Sequence, residues 1–275
     1  MALTGFLATY IAMETYSLGV ERLIIKDPLL PKKFHNLRVV FISDLHHGTF
    51  SSQKRLRLMV KKINDLKPDL ILLGGDYLQT NKLVRTKQTK ALKELGEILR
   101  QLQSPPLGIF GVLGNHDHYY AAAEVTAELT KAGIQMIDNQ GLSLEKDGDR
   151  IFLAGVGDLW LGKPNLEAAV KNRQGEKFTL LLSHQPNFID QLTKEDKINF
   201  VLAGHTHGSQ FSLLGYQPIA PRSIARWEYM SGLVETAQAR MLVSPGIGNV
   251  APYFRFFAPP KIHLLVFKSS PRLEM

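Results

Sequence analysis

Phe200-Val201-Leu202-Ala203-Gly204-His205-Thr206-His207-Gly208 runs four apolar residues into a glycine-framed turn that carries two imidazoles one residue apart. A short apolar run closed by turn residues reads as a buried strand. Ligands just beyond it sit at the strand's carboxyl end, where open α/β sheets build their sites. Working outward, the same pattern occurs four more times. Leu37 to Ile42 leads into Asp44-Leu45-His46, and Leu70 to Leu73 into Gly75-Asp76. Ile109 to Leu113 leads into Gly114-Asn115-His116-Asp117, and Phe178 to Leu182 into Ser183-His184.

The residue types suit a pair of divalent cations, which take hard oxygen and imidazole ligands and are commonly joined by one shared carboxylate. Asp76 is the natural bridge, because a lone buried carboxylate after a Gly-Gly turn would otherwise be costly to desolvate. Asn115 offers a neutral amide oxygen, adding no charge to a site that must admit an anionic phosphate. Each motif alone is common: Gly-Asp after a strand is often an Asx-capped turn, and His184 alone would read as a hydrogen-bonded structural histidine. The weight lies in five motifs in one order.

That order, D-x-H, GD, GNH, H and GHTH, resembles the calcineurin-like metallophosphoesterase superfamily over roughly residues 37 to 267. The resemblance implies one metal held by Asp44, His46, Asp76 and His207, and a second by Asp76, Asn115, His184 and His205. It also implies a hydroxide bridging the two ions as nucleophile, with Asn115 helping to neutralise the phosphate and His116 facing the leaving group as general acid. The alternative for His116 is an orienting role beside the ligands. The Gly-Gly-Asp-Tyr turn, the Gly-His-Thr-His-Gly-Ser-Gln block and Ser244-Pro245-Gly246-Ile247-Gly248 look most like the bacterial membrane-associated branch. That branch includes YkuE-like and YaeI-like phosphoesterases and UDP-2,3-diacylglucosamine hydrolases of the LpxG type.

Two positions depart from the branch. Gln79 stands where many relatives carry an acidic residue that polarises the histidine matching His116, which favours a leaving group that needs little protonation, such as a pyrophosphate; Asp117 is the other candidate to orient that ring. Pro245 stands where relatives often have Arg, so any phosphate contact from that side chain is lost.

At 275 residues and 44% hydrophobic content the chain can bury one substantial core, and strand-helix alternation argues a single α/β domain. Helices are expected at 52–66, 87–103, 121–132 and 164–172, and later strands at 211–214, 241–244 and 262–267. Two mixed sheets flanked by helices accommodate this count, and the resemblance likewise implies a four-layer αββα sandwich. The catalytic domain is expected over residues 37–275, preceded by an amphipathic arm over 1–36. The absence of cysteine excludes disulfides, thiolate ligands and cysteine nucleophiles. The donors favour Mn²⁺, then Fe or Zn²⁺.

A net charge of +8 is uneven, with Lys54, Arg55, Arg57, Lys61 and Lys62 on the first expected helix and Lys82, Arg85, Lys87, Lys90 and Lys93 around the second. Nucleic acid, an anionic membrane surface and ordinary solvated helix faces compete as explanations. No recognised nucleic-acid motif accompanies these residues. Leu3 to Val20 is largely apolar, too short and interrupted for a span, and lacks the pattern of a secretory signal. It fits an interfacial helix or the end of a longer anchor, with a helix packed on the catalytic domain as the alternative. Together with the basic patch it points to peripheral attachment, at the cytoplasmic face of a bacterial inner membrane. In Tyr253-Phe254-Arg255-Phe256-Phe257, Phe254 or Phe257 could give acyl chains an apolar wall beside the metals. Nothing in the sequence speaks to oligomeric state.

Three functions follow. The first is a membrane-surface hydrolase of a nucleotide-linked lipid pyrophosphate such as UDP-2,3-diacylglucosamine, giving UMP and a lipid monophosphate. The second is a soluble, permissive phosphodiesterase on nucleotides or nucleic-acid ends. The third is a non-catalytic adaptor, against which the intact ligand set argues.

Overall fold

The computed structural model describes residues 2–48, 52–79, 85–213 and 226–271. The first half of the chain gives α1 (Ala2–Tyr16), β1 (Gly19–Asp27), β2 (Leu37–Ile42), α2 (Gln53–Asp65), β3 (Leu70–Leu73), α3 (Arg85–Leu99), β4 (Ile109–Gly111), α4 (Asn115–Tyr120), α5 (Ala122–Lys131) and β5 (Gln135–Met136). The second half gives β6 (Gln140–Lys146), β7 (Asp149–Gly155), α6 (Leu166–Val170), β8 (Thr179–Leu182), β9 (Phe200–Ala203), β10 (Gly232–Glu235), β11 (Arg240–Val243) and β12 (Lys261–Ser269).

Two six-stranded mixed sheets result, ordered β1-β12-β2-β3-β4-β5 and β10-β11-β9-β8-β7-β6. Strands β2 to β5 run parallel in the first and β7, β8, β9 and β11 in the second, so their carboxyl ends lie together. Period-two alternation sorts the side chains into layers. Val39, Phe41, Leu70 and Leu72 point between the sheets, where they meet Leu180, Phe200, Leu202, Leu242 and Phe267. Val40, Ile42, Ile71 and Leu73 point outward under α2, α3 and α5. Helix α2 begins at Ser52, whose Oγ accepts the Arg55 N–H, and buries Leu56, Met59, Val60 and Ile63 on one face. Each such side chain contributes about 1.5–3 kcal/mol of burial. The outer face of the second sheet is covered by α6 and single-turn segments around Phe188, Ile189 and Tyr229, which completes the αββα sandwich.

Several expectations need correction. The sheet begins at Gly19 and not at residue 37, because β1 pairs in parallel with β12 along nine residues from Gly19↔Lys261 to Asp27↔Ser269. Helix α1 is not amphipathic: Phe6, Leu7, Met13 and Tyr16 are exposed, while Glu14 and Thr15 are the buried residues of its last turn. Arg55 is not part of a basic surface, since it is buried and donates to the carbonyls of Thr15, Ser17 and Ile247. The strand expected at 211–214 reduces to a bridge between Phe211 and Phe256, and Leu214 lies outside the described residues, as does Lys82. The helix expected at 164–172 is the shorter α6. Among the described residues no helix is long and apolar enough to cross a membrane.

Candidate metal centre

Both sheets deliver side chains to one point. Asp44 and His46 follow β2, Asp76 follows β3, and Asn115 opens α4 after β4; His184 follows β8, and His205 and His207 follow β9. Asp44, His46, Asp76, His205 and His207 all hold positive φ, between 42° and 71°. Such backbone is sparsely populated for non-glycine residues, and its concentration here marks turns that the surrounding structure imposes. Two glycines make the approach possible. A Cβ on Gly75, at φ 91°, would lie 2.6 Å from the Gly114 nitrogen and 2.8 Å from His184 Nδ1, and one on Gly204 would collide with Ser43 and Asp44.

The donor atoms converge. His46 Nε2 lies 3.0 Å from His207 Nε2 and 3.5 Å from Asp76 Oδ2, and His207 Nε2 lies 3.6 Å from Asp44 Oδ1. On the other side, His184 Nε2 lies 3.3 Å from Asp76 Oδ2, 3.2 Å from Asn115 Oδ1 and 3.3 Å from His205 Nδ1. Asp44, His46 and His207 thus form one group able to hold a cation, and Asp76, His184 and His205 another; His116 joins His46 and Asp76 in a third. Asp76 is common to two of the three. The set fits divalent metals: oxygen and imidazole donors crowd together, with ring nitrogen facing ring nitrogen between His46 and His207 and between His184 and His205. His184 Nδ1 lies 2.7 Å from the Gly74 carbonyl oxygen, so Nδ1–H donates there and Nε2 is left to face the centre.

The electrostatics carry the same message. Burial pushes His46 and His205 down to about 3, with Asp76 opposing in each case, and holds His207 well below its usual range. Burial also raises Asp44 to about 6. His184 is the exception: burial would lower it, but Asp76 and Asp44 raise it to about 10, and His184 in turn holds Asp76 well below the carboxylate range against the effect of burial. Neutral imidazoles and ionised carboxylates are the ligand forms.

The remaining candidates are placed differently from expectation. Asp117 does not orient His116. Its buried carboxylate accepts the N–H groups of Asp76, Tyr77 and Gly114, each at 2.9 Å, which fixes the turn beneath Asp76. Gln79 is buried, and among the described residues its amide oxygen has no hydrogen-bond partner. His116 donates its backbone N–H to Asp76 Oδ1 at 2.8 Å, and its ring packs edge-on against His46 at 4.7 Å. The cleft over these groups has a volume of about 250 Å³ and is walled by Ser209, Gln210, Val250 and Ala251. Phe254 and Phe257 are not in that wall; Phe257 packs 5.3 Å from Tyr10 of α1.

Two residues were missed. Arg255, fully buried, donates to the carbonyls of Pro245, Gly248 and Ala258 and reaches within 3.4 Å of His207 Nδ1. Trp160 packs edge-on against His205 with ring centroids 4.7 Å apart. Neither has a local signal, because each acquires its place only through a tertiary contact.

Residues 37–209 match the family described as Calcineurin-like phosphoesterase. The "Uncharacterized metallophosphoesterase YkuE" of Bacillus subtilis (strain 168) is 31% identical over 261 residues, covering 94% of this chain and 88% of that protein. A metallophosphoesterase of Aquifex aeolicus (strain VF5) is 30% identical, covering 98% of this chain and 99% of its own length. The "Transmembrane protein with metallophosphoesterase domain" of Danio rerio is also 30% identical, but the chain spans only 55% of it. Among solved structures, NAD nucleotidase (NadN) of Haemophilus influenzae superposes with a TM-score of 0.50 at 13% identity, over 75% of this chain and 49% of that one, a likeness of fold alone.

Proposed function

The chain belongs to the calcineurin-like phosphoesterase family, and we propose that it is a binuclear metal-dependent hydrolase of a phosphodiester or pyrophosphate bond in a nucleotide-linked lipid, such as UDP-2,3-diacylglucosamine, giving UMP and a lipid monophosphate. The observation that carries the reading is the place of Asp76 Oδ2 between the two sides, 3.5 Å from His46 Nε2 and 3.3 Å from His184 Nε2. One ion is assigned to Asp44, His46, Asp76 and His207, the other to Asp76, Asn115, His184 and His205. A pair of such ions, with Mn²⁺ the first choice over Fe or Zn²⁺, supplies an acidified water and neutralises charge on the phosphate.

The chain's own residues do the rest. Asp76 is held by the Asp117-braced turn, so its oxygens are fixed before substrate arrives. The Asn115 amide stabilises a non-bridging phosphate oxygen without adding charge. His116 faces the cleft next to Asp76 and passes a proton to the departing oxygen.

A membrane surface is supported by α1, whose exposed Phe6, Leu7, Met13 and Tyr16 adjoin the Tyr10–Phe257 contact, together with the net charge of +8. Phe257 is 52% exposed on that side. The test is an assay of Mn²⁺-loaded protein on a UDP-linked acyl sugar, a cyclic nucleotide and an alkyl monoester, with Asp76→Ala as blank. Turnover of the acyl sugar far above the others is expected. Preference for a simple chromogenic diester would replace this reading with a permissive phosphodiesterase.

A further inference from the structure

Trp160 belongs to the loop between β7 and α6, and its indole is 43% exposed although it packs against a histidine of the centre. Single exposed apolar residues are ordinary on mobile loops. This loop is braced at every turn. The fully buried Asp158 takes the N–H groups of Trp160 and Leu161 on one carboxylate oxygen, at 3.0 and 2.7 Å, and the Gly162 N–H on its carbonyl at 2.9 Å. Its other carboxylate oxygen accepts the side-chain amide of Gln185, whose own oxygen accepts the Leu159 N–H at 2.9 Å. Gln185 is the chain neighbour of His184 and is fully buried, so the loop takes its position from the metal centre. Asn139 closes the far side, accepting from Gly157 at 2.9 Å and Asn165 at 2.7 Å.

A large ring is thus carried on a braced backbone, partly in solvent, outside the cleft wall but edge-on to His205, which lines it. His205 belongs to the Asp76–His184–His205 side; His116, on the leaving-group side, belongs with His46 and Asp76. In-line displacement at a pyrophosphate separates the two halves of the substrate, and the half that keeps the attacked phosphorus lies away from the general acid. The apolar features that suit a lipid, α1 and Phe257, lie by contrast next to the 255–258 segment that braces His207.

Resting on the proposed pyrophosphate hydrolysis, we propose that Trp160 is the stacking platform for the nucleobase of the nucleotide half, and that it sets specificity for a base-bearing substrate. An indole on a braced backbone suits a flat aromatic ring, because stacking on it orders little of the loop that was not already ordered. The site takes a nucleoside 5′-phosphate at the His205 end, and Trp160 touches the base without entering the proton transfers.

The test is calorimetric titration of Mn²⁺-loaded protein with UMP and with ribose 5-phosphate, in wild type, Trp160→Ala and Trp160→Phe, alongside turnover of the UDP-linked substrate. Wild type should bind UMP about 10-fold more tightly than ribose 5-phosphate. Trp160→Ala should erase that difference and raise KM about 10-fold at nearly unchanged kcat, and Trp160→Phe should restore most of both. Equal binding of the two ligands by wild type, or a preference that survives in Trp160→Ala, overturns the platform while Asp76-dependent turnover leaves the hydrolase reading standing. Absence of any Asp76-dependent turnover sinks that reading and the platform with it.

Discussion

At the strand ends His46, His184, His205 and His207 turn ring nitrogens toward one another and toward two carboxylates, whereas on β12 His263 has Ser244 Oγ 3.0 Å from Nε2 and Glu21 Oε2 3.0 Å from Nδ1. Both clusters centre on buried imidazoles and are built from the same chemistry. In the second the ring has one neighbour at each nitrogen: Ser244 Oγ, which also accepts the Gly246 N–H at 3.0 Å, meets Nε2, and Glu21, itself paired with Lys261, lies beside Nδ1 as an ion-pair neighbour out of line for a hydrogen bond. The Ser-His-Glu order resembles a hydrolytic triad, but Ser244 is fully buried and no substrate can reach it. In the first cluster ring nitrogen faces ring nitrogen, His46 to His207 at 3.0 Å and His184 to His205 at 3.3 Å, with Asp76 between the two pairs. Imidazoles and carboxylates in proximity do not make a metal site; several ring nitrogens converging on one shared carboxylate do.

The most drastic way to break this comparison is Asp76→Ala. It should abolish metal-dependent turnover, because the carboxylate lying between His46 and His184 is lost from both sides of the centre. His263→Gln should instead leave turnover nearly intact while lowering stability by about 1–3 kcal/mol through a buried unsatisfied group. Denaturant titration and initial rates on the two variants check it. Loss of activity in His263→Gln equal to that in Asp76→Ala would place both clusters in one site.

Asp117→Asn comes next. The amide keeps the volume but presents N–H groups where three backbone N–H donors already point, at Asp76, Tyr77 and Gly114. Burial, followed by Asp76, raises the Asp117 carboxyl to about 8, while the donors of Gly114 and Tyr77 pull the other way. The turn under Asp76 should loosen, costing about 10–100-fold in metal affinity or activity, as for other groups that orient a ligand. Restoration of full turnover by excess Mn²⁺ would locate the effect in affinity, and an unchanged Mn²⁺ affinity together with unchanged kcat would remove Asp117 from the centre.

How far this contrast could be read before the fold was known depends on where each cue lies. The ligand motifs were legible because every one is local: a continuous apolar strand, then a turn whose glycines permit close approach, as Leu70–Leu73 runs into Gly74-Gly75-Asp76. Strand β1 was not legible, since Glu21, Arg22 and Lys26 interrupt its apolar residues and its pairing partner lies some 240 positions on. The β6–β7 hairpin carries a local signal as well, Asp147-Gly148 between two seven-residue strands. Asp117 sits three residues beyond Gly114, a position typical of an acid at a helix start, but its hold on Asp76 depends on a contact 41 residues away. The acidic character of Glu21 and the place of Trp160 and Arg255 likewise appear only once distant segments meet.

Chelation should produce a smaller, purely thermodynamic effect. A ligand at about 100 times its Kd stabilises the folded state by about 2.7 kcal/mol, so removal of Mn²⁺ should lower Tm by roughly 5–10 °C. His263→Gln should respond to Mn²⁺ as wild type does, and Asp76→Ala should not respond. Metal binding should also release protons near pH 7, because Asp76 and Asp44 keep His184 charged up to about 10 when no cation competes. Calorimetry in buffers of different ionisation enthalpy reads this directly, and a heat independent of buffer would contradict it.

The smallest effect belongs to Glu21, on the partnered side of the comparison. His263 holds its carboxyl down at about 2, against burial and with help from Lys261. A folded-state pKa below the ordinary value of about 4.5 means that the stabilisation is complete above that value and disappears as pH falls through about 2. Because Glu21 is partly exposed, solvent screening limits the contribution to about 1 kcal/mol. Glu21→Gln should therefore melt a few degrees below wild type at pH 7 and pH 5 in the presence of chelator, with the gap narrowing from pH 4.5 to pH 3. His263 adds a trend of its own in both proteins, since burial, opposed by Glu21, lowers it below 6.5 and acid then favours the unfolded chain. A gap that widens toward pH 3 would mean that Glu21 opposes the fold where His263 and Lys261 are read as favouring its charge.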